Sequence, residues 1–457
     1  MDLVKPYIEY ILYPIMEKYK GNETRYRILE LQESQYIDQC ELRKLQQEKL
    51  RKLLLECITN VPAYQSFAYL RNHIESDALN ALYKFPVLEK NAFQNNPNAY
   101  LNQTVSKNYL IANCTGGSTS EPVKFYMDRL TVEYYEAARW RGLSWWDIKP
   151  ASRCVMIWGN PLELNQAEQW KYRLKEKWLK NRIIIPAYCL KPEAMPKYIK
   201  DISRFKPEYF YGYSSALYAF SKLMIQKELK IPFIPKAVVS TAETLHEFQR
   251  ETIEKAFGCP VVNEYGARDA GILAYQCINQ NMHISVENAI LEVVDATTLQ
   301  PLPLGQSGSI LVTDLNNFSM PRLRYRLGDR ATLSTQLCAC GIKLPLIEKI
   351  DGREDDMFLT VDGQLVHGHA FNHISRNLNA INKFQIIQLT PEHAELSIVP
   401  NHPVNTKEIE IFINNIQKML PGTIIDVKQV DNIPASSSGK YRYAIRKFPL
   451  ENFNLGK

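Results

Sequence analysis

Residues 237–269 read AVVSTAETLHEFQRETIEKAFGCPVVNEYGARD. Ala237-Val238-Val239-Ser240 is a short apolar run of strand length, and Val261-Val262-Asn263 is a second. Between them, Glu247 to Phe257 is an amphipathic stretch with a helical period. Run, helix, run is the pattern of a crossover between parallel strands. Reading outward, the same alternation begins near residue 105. Val155 to Trp158 and Ile183 to Ile185 are further short runs, and Ser214 to Glu228 is another amphipathic stretch. The expectation is an α/β chain with mainly parallel sheets. Beyond Ile284 strands dominate, at Ala289 to Val294, Ser309 to Thr313 and Arg330 to Leu333, so this part should be antiparallel or barrel-like.

The pattern breaks at Asp351-Gly352-Arg353. Met357 to Val361 and Gln364 to Val366 then flank Asp362-Gly363, a strong hairpin signal. A helix is expected at Ala370 to Asn379, with strands at Phe384 to Leu389 and Ala394 to Val399. A helix beginning near Thr406 carries Ile409, Phe412, Ile413, Ile416 and Leu420 on one face, and Asn405 with Glu408 resembles its capping box. Thr423 to Val427 is expected as the last strand. Residues 351–457 thus read as a small α+β domain behind a large N-terminal domain of sheets flanked by helices, 1–350. Within the latter, residues 1–43 read as a helical extension. Leu42 to Ile58 forms an amphipathic helix with basic residues on its outer face.

A length of 457 residues allows about three domains, or one large domain and a small one. Hydrophobic residues at 45% and charged residues at 23% exclude a disordered, collagenous or coiled-coil chain. Fifty-five basic against 49 acidic residues leave +6, too small an excess to call for nucleic acid, and no reader motif is present. Mean hydropathy is −0.29. No window approaches 18 uninterrupted apolar residues, so no membrane-spanning helix is expected. The start, Met1 to Pro6, lacks the pattern of a secretory signal. Nine cysteines, odd in number and mostly isolated, fit reduced thiols and a cytoplasmic location.

Thr115-Gly116-Gly117-Ser118-Thr119-Ser120-Glu121-Pro122 offers small and hydroxyl residues whose donors can converge on phosphate oxygens, although it is not a Walker loop. After it come Glu264 to Asp269, Arg324-Tyr325-Arg326-Leu327-Gly328-Asp329, Gly352 to Asp356 and Ser436-Ser437-Ser438-Gly439-Lys440. This ordered series resembles the adenylate-forming (acyl-CoA synthetase) superfamily. Tyr211 to Ser215, Ser240-Thr241-Ala242-Glu243 and Met320 to Tyr325 look most like its phenylacetate–CoA ligase branch, including capsule-biosynthesis relatives. The resemblance covers residues 44 to 447.

The resemblance implies an ATP-dependent carboxylic acid ligase. An acid would attack the α-phosphorus of ATP, expel pyrophosphate, and pass as its acyl-adenylate most readily to coenzyme A. The alternatives are transfer to an amine or hydroxyl in surface-polysaccharide assembly, or a non-catalytic nucleotide-binding relative. Thr115, Gly116, Gly117, Ser118 and Thr119 would hold the leaving pyrophosphate, and Asp269 would ligate Mg²⁺. Tyr265 would flank adenine and Asp329 would accept the ribose hydroxyls. Glu243, Glu264 and Gly266 would complete the nucleotide site. Arg353 would contact ribose or α-phosphate, and Lys440 would reach the carboxylate and the α-phosphate from a mobile C-terminal lid pivoting near Asp355. Tyr211, Tyr213 and Ser214 match the branch's acyl-pocket loop, whose aromatic walls suit a planar or apolar acid. Two residues depart from the pattern. Ser120 stands in place of a glycine, and Asp269 in place of a longer glutamate, so that a water can bridge it to the metal.

Cys338-Ala339-Cys340 is too tight for a zinc knuckle alone, but Cys277 and His283 can supply the other two ligands of a structural Cys₃His zinc site, which some members of the branch carry. His367, His369 and His373 read as solvated or as lining the mobile interface. The expected partner is a small carboxylic acid, without nucleic acid.

Overall fold

A computed structural model describes residues 4–114, 123–158, 174–187, 190, 192–353, 357–363, 365–367, 371, 380–401, 405–434 and 441–448. The expected phosphate loop at 115–119, the pivot Asp355, the lysine Lys440, most of the Ala370 to Asn379 helix, and His369 and His373 lie outside the described residues.

The N-terminal segment is helical over Val4–Pro6, Tyr7–Leu12 and Tyr13–Lys20, then in α1 (Thr24–Ser34) and α2 (Gln39–Asn60). Asp38 starts α2 by accepting the Cys40 and Glu41 amides at 2.8 and 2.9 Å, which supplies two otherwise unpartnered helix donors. The α2 stripe of Leu42, Leu50, Leu53, Leu54 and Cys57 is buried, as its period requires. The segment is keyed to the body by Lys5, 3.0 Å from Glu208, and by the Ser34 hydroxyl, which donates to Glu287 at 2.7 Å.

A short hairpin of β1 (Ile111–Cys114) and β2 (Lys124–Met127) leads into α3 (Arg129–Ser144). Next come β3 (Cys154–Trp158), β4 (Arg182–Pro186), α4 (Met195–Phe205), β5 (Tyr209–Tyr213), α5 (Ser214–Gln226), β6 (Ala237–Thr241), α6 (Glu247–Phe257) and β7 (Val261–Ala267). These strands pair in parallel in the order β4-β3-β5-β6-β7. The helix between β6 and β7 has the expected bounds, closed by Gly258 at φ 69°, where only glycine is unstrained. Then β8 (Gly271–Gln276), β9 (Met282–Ile284), β10 (Ala289–Val294), β11 (Ser307–Asp314), β12 (Tyr325–Leu333) and β13 (Leu346–Arg353) add on in antiparallel fashion. The strand-rich part is antiparallel, as expected, but continues the same sheet. One mixed sheet of eleven strands runs β10-β11-β12-β13-β9-β8-β7-β6-β5-β3-β4.

Strand alternation sorts the core. Val155, Ile157, Phe210 and Val238 pack on one face with Leu217 and Phe220 of α5 and Ile253 and Phe257 of α6. Met156, Tyr209, Tyr211 and Val239 point the other way, against Ala137 and Ala138 of α3 and Leu31 of α1. A Cβ on Gly142 of α3 would lie 2.2 Å from the Tyr275 ring, so only glycine lets the helix sit this close to β8.

The small C-terminal domain has its own core, with Phe358, Phe384, Ile386, Phe412 and Ile416 buried together. The expected hairpin forms from β14 (Met357–Leu359) and β15 (Leu365–His367). β16 (Ile381–Thr390) and β17 (His393–Pro400) pair under α7 (Thr406–Met419), which Asn405 caps. β18 (Ile424–Gln429) is not the last strand. β19 (Ala444–Arg446) follows and pairs in parallel with β16, giving the order β18-β17-β16-β19. Its three residues carry too little pattern to mark a strand in the sequence.

Candidate active site and metal centre

Ligands of open α/β sheets gather beyond the carboxyl ends of the parallel strands, and most of the described candidate residues lie there. β5 ends at Tyr213, β6 runs into Ala242 and Glu243, and β7 carries Glu264 to Ala267 into a turn holding Arg268 and Asp269. Arg268 donates to the Cys114 carbonyl at 3.1 Å, which ties that turn to the strand entering the 115–122 segment. Ala242 sits at φ 66°, a strained value for alanine. Around it, Ser215 N–H donates to Glu243 Oε2 at 2.8 Å, and the Ser214 hydroxyl donates to the Glu243 carbonyl at 3.1 Å.

Glu264 is buried and accepts two hydroxyls on Oε1, from Tyr211 at 2.6 Å and Thr241 at 2.9 Å. Its other oxygen lies 3.5 Å from Arg139 Nε, and that guanidinium lies over the Tyr211 ring at 5.7 Å. Burial, above all, pushes the Tyr211 phenol well above its ordinary pKa, so it stays a donor. Tyr211 and Tyr213 belong to β5 and Ser214 opens α5, so these residues form a strand–helix junction rather than a loop. Alternating Tyr and Phe with one Gly suits a strand buried on both faces. Trp158 stacks on Tyr213 at 4.0 Å. Neither Arg139 nor Trp158 was among the residues singled out from the sequence, because neither belongs to a motif.

The antiparallel half supplies the opposite wall. Asp329 and Arg353 face each other in the β12–β13 ladder, with Arg353 Nε 3.4 Å from Asp329 Oδ1. Tyr265, on β7, donates its hydroxyl to Asp329 Oδ2 at 2.9 Å. Burial and then the Asp329 carboxylate raise that phenol well above its usual pKa. Asp269 is 9% exposed and accepts the Tyr325 hydroxyl on Oδ2 at 2.9 Å. Among the described residues Oδ1 accepts no hydrogen bond, which suits a carboxylate offering one oxygen to a hydrated Mg²⁺. Five of the sequence candidates, Tyr265, Gly266, Asp269, Asp329 and Arg353, therefore lie along β7 with its turn and along β12 and β13.

A second cluster lies at the β8–β9 hairpin. Cys277 follows β8, His283 is in β9, and Cys338 and Cys340 sit in the turn before β13. Their ligand atoms all lie within 4.8 Å of one another. Cys277 Sγ and Cys338 Sγ are 3.6 Å apart, and Cys340 Sγ is 3.3 Å from His283 Nε2. Tetrahedral zinc with sulfur bonds of about 2.3 Å needs ligand separations of roughly 3.5–3.8 Å, which these two separations approach. His283 Nδ1 lies 3.1 Å from the Leu344 carbonyl, which can only accept, so Nδ1 carries the proton and Nε2 presents its lone pair to the cluster. Burial, chiefly, lowers His283 to about 4, which keeps it neutral as a ligand must be. His283 and Cys277 are buried, and Trp145 stands edge-on to the imidazole at 5.4 Å.

The eleven-stranded mixed sheet with its small C-terminal domain is the fold of the adenylate-forming ligases. It aligns with a crystal structure of 2-hydroxyisobutyryl-CoA ligase in the postadenylation state with R3-HIB-AMP, at TM-score 0.70 and 18% identity over 92% of each chain. The same ligase with 2-HIB-AMP and CoA in the thioesterification state aligns at 0.59. In sequence the chain is similar to CapK and to the phenylacetate–coenzyme A ligases. Protein CapK of Staphylococcus aureus is 25% identical over 355 residues, 75% of either chain. The family described as CapK C-terminal domain matches residues 358–447. Phenylacetate-coenzyme A ligase of Thermus thermophilus is 34% identical over 123 residues, 26% of this chain and 27% of that protein. Indoleacetate–lysine synthetase of Pseudomonas savastanoi is 34% identical over 168 residues, 35% and 38% of the two chains. Among the described residues no helix is long and apolar enough to cross a membrane.

Proposed function

We propose that this protein activates a carboxylic acid with ATP, forming an acyl-adenylate and pyrophosphate, and then transfers the acyl group to coenzyme A. The observation that carries the reading is the joined set Tyr265–Asp329–Arg353 beside Asp269. It links a hydroxyl-accepting carboxylate on β12 and a cation on β13 to Tyr265 of β7, with a metal-ready carboxylate in the turn after β7 tied to β12 through Tyr325. Asp329 would take the ribose hydroxyls, held in place by Tyr265. Arg353 and Lys440 would offset the charge that grows at the α-phosphate as pyrophosphate leaves. Mg²⁺, held by Asp269, would neutralise the phosphate oxygens. Thr115 to Thr119 would hold the pyrophosphate, with Glu243, Glu264 and Gly266 shaping the nucleotide side. Tyr211, Tyr213 and Ser214 would border the acid. The body would end after residue 350, and the C-terminal domain would turn as a lid about Asp355. Cys277, His283, Cys338 and Cys340 would hold a structural zinc, since four protein ligands leave no open position.

Coenzyme A is favoured as acceptor by the phenylacetate and 2-hydroxyisobutyryl ligase relatives. The similarity to a synthetase named for joining indoleacetate to lysine supports an amine as the second reading. Pyrophosphate release over a panel of carboxylic acids, with and without coenzyme A, tests both. Turnover that requires coenzyme A supports the first reading, and turnover restored only by an amine supports the second. No release with any acid would overturn the ligase reading.

A further inference from the structure

One contact joins the small domain to the body at an informative point. Tyr443, the residue before β19, brings its hydroxyl to 3.1 Å from His246 Nε2, with the rings edge-on at 5.7 Å. His246 is the N-cap of α6. Its carbonyl accepts the Gln249 backbone N–H at 3.0 Å, while its own backbone N–H donates to Gln249 Oε1 at 3.0 Å. The Tyr443 hydroxyl and Nε2 share one hydrogen bond, with the proton's side set by the imidazole tautomer. Each partner is fixed on its own side. The His246 ring stacks on Phe248 at 5.7 Å. The Tyr443 ring packs on Phe384 at 5.6 Å, and its carbonyl accepts the Ile386 N–H at 2.8 Å.

Chain position gives the contact its meaning. His246 comes three residues after Glu243, and Tyr443 comes three residues after Lys440. Glu243 is among the residues proposed for the nucleotide site and Lys440 is the lysine proposed for adenylation, so the contact brings the segment that follows one against the segment that follows the other. We propose that Tyr443 and His246 are positioning residues that clasp the small domain against the body in the orientation used for adenylation. The proposal rests on the ligase reading. Rotation of the lid breaks the clasp. A single neutral hydrogen bond biases the orientation by roughly fivefold to tenfold, enough to favour the first half-reaction without trapping it.

The test uses two variants of the full chain. Tyr443→Phe keeps the ring on Phe384 and removes the hydroxyl, and His246→Asn keeps a good N-cap while removing the imidazole. Amide hydrogen exchange without substrate should rise in residues 244–257 and in 441–447 for both variants, with little change in the thermal midpoint. In single turnover, adenylation should fall about fivefold to tenfold, while a supplied acyl-adenylate is converted at the wild-type rate. Unchanged exchange in both segments overturns the clasp, and equal slowing of the two half-reactions overturns its link to adenylation. The exchange measurement needs no accepted acid. A wild type that releases no pyrophosphate thus refutes the ligase reading alone, and normal turnover with unchanged exchange refutes the clasp alone.

Discussion

Replacing Cys338 and Cys340 together by serine should remove one equivalent of zinc and cost stability before it costs catalysis. The metal would join Cys277 to Cys338 across a separation of 61 residues. Treated as a cross-link on the unfolded chain, closing a loop of that length contributes about 4 kcal/mol. Unfolding entropy of roughly 2.1 cal/mol/K per residue amounts to about 1 kcal/mol/K for a chain of this size. The melting temperature should therefore drop by about 4 °C. Differential scanning calorimetry of protein expressed in zinc-replete medium measures the shift, and metal analysis of the same sample measures zinc. A chelator should lower the wild-type midpoint to that of the double variant and leave the variant unmoved. Cys40→Ser and Cys114→Ser, at exposed thiols outside the four-ligand group, serve as controls and should keep full zinc. The residues proposed for the nucleotide site on β7, β12 and β13 are not ligands, so the folded variant should release pyrophosphate at the wild-type rate at 25 °C. Wild-type protein free of zinc, or a double variant that keeps both its metal and its midpoint, would refute the reasoning.

Asp269→Ala should lower pyrophosphate release by about two to three powers of ten, roughly 3–4 kcal/mol of transition-state stabilisation; near wild-type turnover at low Mg²⁺ would remove it from the site. Lys440→Ala should slow adenylation by about 10²-fold or more yet leave conversion of a supplied acyl-adenylate unchanged, and Lys440→Arg should rescue it only in part, because a forked guanidinium does not replace a compact ammonium. Single-turnover comparison of the two half-reactions decides this, and equal effects on both would count against the lysine. Arg141 and Glu287 form a 2.6 Å ion pair with both side chains 1% exposed. Glu287→Ala strands a buried guanidinium and should cost about 3–5 kcal/mol; a denaturation midpoint within error of wild type would show that the pair is dispensable.

Legibility in the sequence followed the range of each interaction. α6 showed its full extent because Ile253 and Phe257 keep a helical period and Gly258 ends it. Cys277, His283, Cys338 and Cys340 were readable across a wide gap because few residue types bind zinc, so pairing two short spacings was a small search. Asp329 and Arg353 came from motifs, but their being opposite one another depends on strand register, which no local pattern records. Arg139 was not legible at all. It lies in α3, where Glu133 and Arg141 are buried, so polar residues there do not mark a solvent face. The Tyr325–Asp269 and Tyr443–His246 bonds were hidden for the same reason: each joins segments far apart in the chain through an ordinary tyrosine.

The β12–β13 ladder carries a consequence for recombination between relatives. Arg353 is the last residue of β13 and stands across from Asp329. Strand side chains alternate with a period of two, so a slip of one residue turns the whole segment over. A chimera spliced upstream of Leu346 would import a foreign β13 whose register must be matched to the resident β12. A mismatch of one residue would swing the guanidinium to the far side of the sheet, although both parent sequences keep their motifs intact. A seam immediately after Arg353 leaves the resident ladder whole and exchanges only the small domain.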